Sequence, residues 1–188
     1  MNEYDQLRRI LDVEFLASPE GWMIEKKDLR LKPQCVKIDD SGKSGISWTL
    51  YRFDSENNNQ DFLPFFNKSD ESPEGLRKFC DYILLVSVRS KTYVMLIEMK
   101  RGDTGMANKQ LNAGQTFIEY LYLSAIRLHK DFNDEDFNRD NIKLRKIIVK
   151  ECKSKKIPTK GVYPIDLKQE FISYNSVGIF PIAHFLEK

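Results

Sequence analysis

Residues 80–100 read CDYILLVSVRSKTYVMLIEMK. Two strands are predicted, Cys80–Val88 and Thr92–Lys100, joined at Arg89-Ser90-Lys91. Successive strand residues point to opposite faces. One face then carries Tyr82, Leu84, Val86 and Val88 with Tyr93, Met95, Ile97 and Met99. The other carries Ile83 and Leu85 with Val94 and Leu96. Both faces are apolar, which predicts central strands covered on both sides. A sheet between helices, and so a mixed α/β fold, follows from that pattern.

Downstream, Ala107, Leu111, Gly114, Ile118, Leu121, Ala125 and Leu128 step along one helical stripe. They predict a long helix over about Thr104–Lys130 with a single buried face. A strand at Ile142–Val149 follows, then a strand candidate at Glu170–Tyr174 and a short helix at Ile182–Leu186. Upstream, Leu7, Leu11 and Phe15 predict a helix over Glu3–Ala17, stopped by Ser18-Pro19. Strands are expected at Gln34–Asp39 and Ile46–Phe53. The turn-rich link 40–45 predicts that these two pair as an N-terminal hairpin. The polar stretch 54–75 contains Phe62-Leu63-Pro64-Phe65-Phe66, read as a loop that packs its aromatics onto the body. No internal repeat or domain boundary is visible, so residues 1–188 are expected to form one domain.

The composition sets outer limits. The chain has 188 residues, 41% of them apolar, enough for a core and too many for a disordered, highly charged segment. No apolar run approaches the roughly 18 residues of a membrane helix, and no membrane partner is expected. The acidic start Met1–Gln6 lacks the apolar segment of a signal peptide. Three cysteines, an odd number, fit a reducing cytoplasm better than a disulfide framework.

Glu98 and Lys100 lie two apart at the end of an apolar strand, so they share a face. Asp81 opens the partner strand. A two-residue loop at Arg89-Ser90 sets Asp81 opposite Glu98; a four-residue loop Arg89–Thr92 sets it opposite Lys100. Both registers put all three side chains on one face, whereas a regular three-residue loop puts Asp81 on the other. Two close carboxylates repel unless a cation lies between them or one takes a proton. A hard divalent ion such as Mg²⁺ meets that need with one or two carboxylates, completing its shell with water and phosphate oxygens. A nearby lysine can orient a water and stabilise charge on phosphorus. The set suits metal-assisted phosphodiester hydrolysis. The plain structural alternative is an edge ion pair between Glu98 and Lys100, with Asp81 capping a strand.

The order Phe79-Cys80-Asp81-Tyr82-Ile83-Leu84, then Leu96-Ile97-Glu98-Met99-Lys100-Arg101-Gly102, then Ala107 with Gln110-Leu111, resembles the PD-(D/E)XK nuclease superfamily. The resemblance spans roughly residues 79–125, and Cys80 stands where that family often has proline. It implies a restriction-endonuclease-like fold: a central mixed sheet flanked by helices in the order α-β-β-β-α-β, here with the extra N-terminal hairpin and a motif region of about 79–150. It implies that Asp81, Glu98 and the Met99 carbonyl hold Mg²⁺ or Mn²⁺. It implies that Lys100 assists the attacking water and that Gln110 supports the metal shell or the scissile phosphate, with Gln115 as the alternative if the helix phase differs. An acid from the first helix is also expected, and Glu14 is chosen for its place on the Leu7–Leu11 face. The implied activity is cleavage of DNA, with RNA left open, leaving a 5′-phosphate and a 3′-hydroxyl; many such domains act as homodimers. The rivals are a nucleic-acid-binding or interaction module of the same fold without cleavage, and a structural partner in a bacterial defence or mobile-element complex.

The net charge of +2 hides segregation. Residues 143–160 carry Lys143, Arg145, Lys146, Lys150, Lys153, Lys155, Lys156 and Lys160 against Glu151 alone. Residues 131–140 hold most of the nearby acid. The basic run is expected to meet backbone phosphates through Lys143, Arg145, Lys146, Lys153, Lys155 and Lys156. Arg77 and Lys78 before Asp81, and Arg101 after Lys100, join that set. His129 and His184 are isolated and predict no zinc site. No phosphate-binding loop of the G-x-x-x-x-G-K-[ST] type is present.

Overall fold

The structure is a computed structural model, and it describes residues 2–25, 34–41, 44–53, 79–100, 105–128, 141–151, 172–176 and 178–186. The hairpin of β4 (Tyr82–Val88) and β5 (Lys91–Lys100) forms as the sequence pattern requires. Its register runs from Tyr82↔Ile97 to Val88↔Lys91, so Arg89-Ser90 is a two-residue loop. Arg89 takes a positive φ of 56°, as such tight turns require of a central residue. Of the registers left open by the sequence, this is the one that sets Asp81 opposite Glu98.

β4 and β5 are inner strands of a five-stranded mixed sheet. β3 (Ile46–Arg52) pairs antiparallel with β4. β6 (Ile142–Glu151) runs parallel to β5, and β7 (Ile172–Ser176) parallel to β6. The parallel step from β5 to β6 needs a crossover, supplied by α2 (Ala107–Leu128). α2 joins α1 (Glu3–Ile10) on one face of the sheet. Leu7, Leu11, Ala107, Leu111 and Ile118 there pack with Ile83, Leu85, Val94, Leu96 and Ile148.

The opposite face departs from expectation. A second sheet covers it, with β2 (Gln34–Asp39) between β1 (Trp22–Glu25) and β8 (Ile179–Pro181). Met23, Val36, Ile38, Phe180, Ile182 and Phe185 from that side meet Tyr82, Leu84, Met95, Ile97 and Val149. β2 therefore pairs antiparallel with β1 and parallel with β8, not with β3 as predicted. The reason lies in side-chain patterning. β2 buries Val36 and Ile38 while Cys35 and Lys37 face outward, which suits an outer sheet with one wet face. β3 places Leu50 in one core and Tyr51 in the other, which suits a sheet covered on both sides.

The first helix is also shorter than predicted. Leu11 turns extended after Ile10, and the Asp12 carboxylate accepts the Glu14 N–H at 3.0 Å to open a separate turn at Val13–Phe15. Local capping by aspartate competes with helix continuation. Leu16 then bridges to Tyr51, and Ala17 N–H donates to Leu50 O, so the chain is drawn onto β3.

Candidate functional site

β4 stops at Tyr82, and the next backbone partner for Met99 is missing from the ladder. The Asp81 side chain fills that place: Met99 N–H donates to Asp81 Oδ2 at 2.7 Å in a buried bond. Phe53 N–H donates to Asp81 O at 3.0 Å and holds the main chain of the same residue. Asp81 is therefore fixed from both sides, with 4% of its surface exposed. In a strand, N–H and C=O of one residue point to the same edge, so the Met99 carbonyl is directed to the Asp81 side.

Glu98 is fully buried, at 0% exposure, on the face that meets α2. Lys100 Nζ lies 2.5 Å from Glu98 Oε1 and donates to Gln110 Oε1 at 3.0 Å. Gln110 Nε2 donates in turn to the Phe79 carbonyl at 3.3 Å. Phe79 is set by an aromatic cluster: its ring meets Phe117 at 5.6 Å, Phe117 meets Phe53 at 5.5 Å, and Phe53 stacks on Phe15 at 5.1 Å. Four separate segments thus fix the amide that holds the lysine. Burial pushes the Cys80 thiol well above its ordinary value, and the Glu98 and Asp81 carboxylates push it the same way.

Asp81, Glu98, Lys100 and Gln110 are brought to one corner of the sheet. Gln115 is not: it bonds Glu119 on the outside of α2 at 2.8 Å, so the helix phase selects Gln110. Glu14 is exposed in the turn after α1 and lies off the Leu7–Leu11 face, because the helix that would carry it there ends at Ile10. The buried acid of α1 is Glu3, whose Oε1 accepts from Asn141 Nδ2 at 2.9 Å. Asn141 precedes Ile142, which pairs with Thr92 at the far end of β5 from Glu98.

Within β6, the described part of the basic run, the basic residues divide between two faces. Alternation along β6 puts Lys143 and Arg145 on the side of Ile147 and Val149, facing the second sheet. Arg145 lies over the Tyr93 ring at 5.9 Å. Lys146 falls on the other face and donates to Asn112 of α2 at 2.6 Å. Arg77, Lys78, Arg101, Lys153, Lys155 and Lys156 lie outside the described residues, as do residues 54–75 with their aromatic loop. Sequence reading passed over two participants. One is the Phe79 carbonyl, which no side-chain pattern announces. The other is Lys150, which the parallel register seats beside Lys100. The sequence shows it as one lysine of the basic run 143–160, with no pattern that sets it beside Lys100.

Among the described residues, no group of three or more His, Cys, Asp or Glu comes together, which leaves a carboxylate pair. Two buried carboxylates and a main-chain carbonyl form a hard oxygen donor set, and with Lys100 beside them the local charge is still negative, which leaves room for a divalent cation. That fits Mg²⁺, which takes few protein carboxylates and keeps water and phosphate ligands. It does not fit zinc, which prefers nitrogen and sulfur. No described helix is long and apolar enough to cross a membrane. No protein-family model matches the chain, and neither a curated protein nor a solved structure does.

Proposed function

We propose that this chain is a Mg²⁺-dependent (or Mn²⁺-dependent) nuclease of the PD-(D/E)XK kind, built on a restriction-endonuclease-like core and acting on DNA, with RNA as the other candidate substrate. The observation that carries the reading is the register of β4 and β5. It sets Asp81 opposite Glu98 on the face where Lys100 meets Gln110. Asp81, Glu98 and the Met99 carbonyl would hold the ion, which supplies charge stabilisation at phosphorus and a more acidic water. Lys100 is held by Gln110 within reach of the carboxylates, and it would orient the attacking water and offset charge on the phosphoryl oxygens. The aromatic cluster behind Phe79 keeps that lysine from wandering, and such positioning is a large part of catalytic advantage.

A second reading draws on the same corner. Lys100 pairs with Glu98, and Asp81 accepts a backbone N–H, so the charges are also satisfied in a purely structural way. That favours a nucleic-acid-binding module without cleavage. The deciding experiment is incubation with supercoiled plasmid, single-stranded DNA and RNA in Mg²⁺, Mn²⁺ or EDTA, beside Glu98→Gln and Lys100→Ala. Metal-dependent cutting lost in both variants supports the nuclease. Binding without cutting in any metal overturns it in favour of the module. Light scattering of the same samples tests the homodimer that this family often uses.

A further inference from the structure

We infer that Lys150 is a second phosphate-binding group of this site, seating the phosphodiester next to the one at Lys100. This rests on the proposed nuclease reading and extends it to the substrate: a polynucleotide strand, held at consecutive phosphates. In the parallel pairing of β5 with β6, Lys100 and Lys150 are register partners, one step beyond Met99↔Val149. Both belong to the face that meets α2. Lys100 bonds Gln110 of α2, and Lys150 is two residues from Ile148, which packs in the helix-side core. Lys150 is half-buried, and among the described residues it has no hydrogen-bond or ion-pair partner.

Like charges side by side on one sheet face are unfavourable. Here Glu98 pairs with Lys100, and among the described residues no carboxylate is in ion-pair contact with Lys150. The set Asp81, Glu98, Lys100 and Lys150 sums to zero. A divalent cation raises it by two, which two phosphodiester charges would cancel. Neighbouring strands lie about 4.8 Å apart, and each ammonium sits on a flexible four-carbon stem, so the two lysines can reach consecutive phosphates of one strand. Lys143 and Arg145 of β6 do not share this geometry, since they are on the face toward the second sheet, and Lys146 is already bonded to Asn112.

The test measures binding of labelled single-stranded and duplex oligonucleotides in Ca²⁺ across a salt series, with cutting in Mg²⁺ followed in parallel. The proteins are wild type, Lys150→Ala, Lys150→Arg and a control, Lys91→Ala, at the far end of β5. Loss of one phosphate contact lowers the slope of log affinity against log salt by about 0.9 on duplex and about 0.7 on single strands. Lys150→Ala is expected to show that drop and to bind roughly tenfold more weakly on every sequence. Lys150→Arg is expected to restore most of it, and Lys91→Ala to leave it unchanged. If wild type cuts and Lys150→Ala matches it in slope and affinity, the Lys150 contact is overturned and the nuclease reading stands. If wild type never cuts but Lys150→Ala lowers the slope, the nuclease reading fails and the contact stands. If wild type neither binds nor cuts, both are overturned.

Discussion

A Cβ on Gly114 would stand 2.8 Å from the Cys80 Sγ, so α2 rests directly on the thiol beside Asp81. The same added carbon would meet Leu96 at 3.4 Å. Gln110 lies one turn earlier on α2, so the depth at which the helix seats also sets the reach of its amide toward Lys100.

Gly114→Ala is therefore expected to lower stability by about 1–3 kcal/mol through overpacking. The Sγ is the closer obstacle, so Cys80→Ala should relieve most of the strain. Urea unfolding of both single variants and the double variant checks this. The double variant is expected to be more stable than the sum of the single effects by about 0.5–3 kcal/mol, the range for residues in contact. Strict additivity would mean that α2 does not seat on Cys80.

Lys100→Ala leaves Glu98 buried without the ammonium group 2.5 Å away. Breaking a buried pair typically costs about 3–5 kcal/mol, and Lys100 keeps 13% side-chain exposure, which places the expected loss at the lower end. Glu98→Gln added to Lys100→Ala should recover part of that loss. Thermal melts without metal read it directly. A Lys100→Ala melt equal to wild type would show that the pair contributes nothing to the fold.

Gln110→Leu keeps the bulk of the residue but removes both bonds, to Lys100 and to the Phe79 carbonyl. Under the nuclease reading, kcat is expected to fall by roughly 10–100-fold with little change in KM, the pattern for lost positioning of a reacting group. A change in KM alone would assign Gln110 to substrate binding.

The Cys80 thiol has its pKa raised well above the ordinary 9.0. The folded chain therefore holds this proton where the unfolded chain would release it. The contribution to stability is complete below about pH 9.0 and declines as pH rises above it. In a thiol-trapping experiment at pH 8, exposed Cys35 should react at once and Cys80 only as the protein opens. Peptide mapping assigns each site, and fast labelling of Cys80 in the folded protein would contradict its burial.

Tyr82→Phe removes a hydroxyl that receives Ile24 N–H at 2.8 Å and donates to Ile24 O at 3.1 Å. A buried group left without its partner costs about 1–3 kcal/mol. Hydrogen exchange at Ile24 is expected to speed up while β4 and β5 stay protected. Unchanged exchange at Ile24 would show that water replaces the hydroxyl.

The central hairpin was legible because its two apolar faces leave few alternatives. Parity put Glu98 and Lys100 on one face, but Asp81 joined them only under two of the three loop lengths left open, and the two-residue loop decided it. The end of α1 was not legible. The periodicity of Leu7, Leu11 and Phe15 continues past the point where Asp12 caps a new turn and β3 captures Leu16. That misplaced Glu14. β1 and β8, at four and three residues, are too short to carry an alternating pattern. Without them, β2 had only β3 as a visible partner. The division of Lys143 and Arg145 from Lys146 between two faces follows from the alternation of a strand at Ile142–Val149. The nearness of Lys150 to Lys100 does not, because it needs the parallel register.

The second sheet joins residues far apart in the chain. β8 and the following turn supply Phe180, Ile182 and Phe185, and Phe180 stacks on Phe185 at 4.6 Å. These residues come after every strand of the main sheet. As the chain leaves the ribosome, Tyr82, Leu84, Met95 and Ile97 are made early and must wait for that cover until residues 179–186 emerge. Until then, among the described residues, Met23, Val36 and Ile38 are the only part of the second sheet's cover already made, and a ribosome-held chain halted before Ile179 exposes the rest of that apolar face and is a form that needs a chaperone.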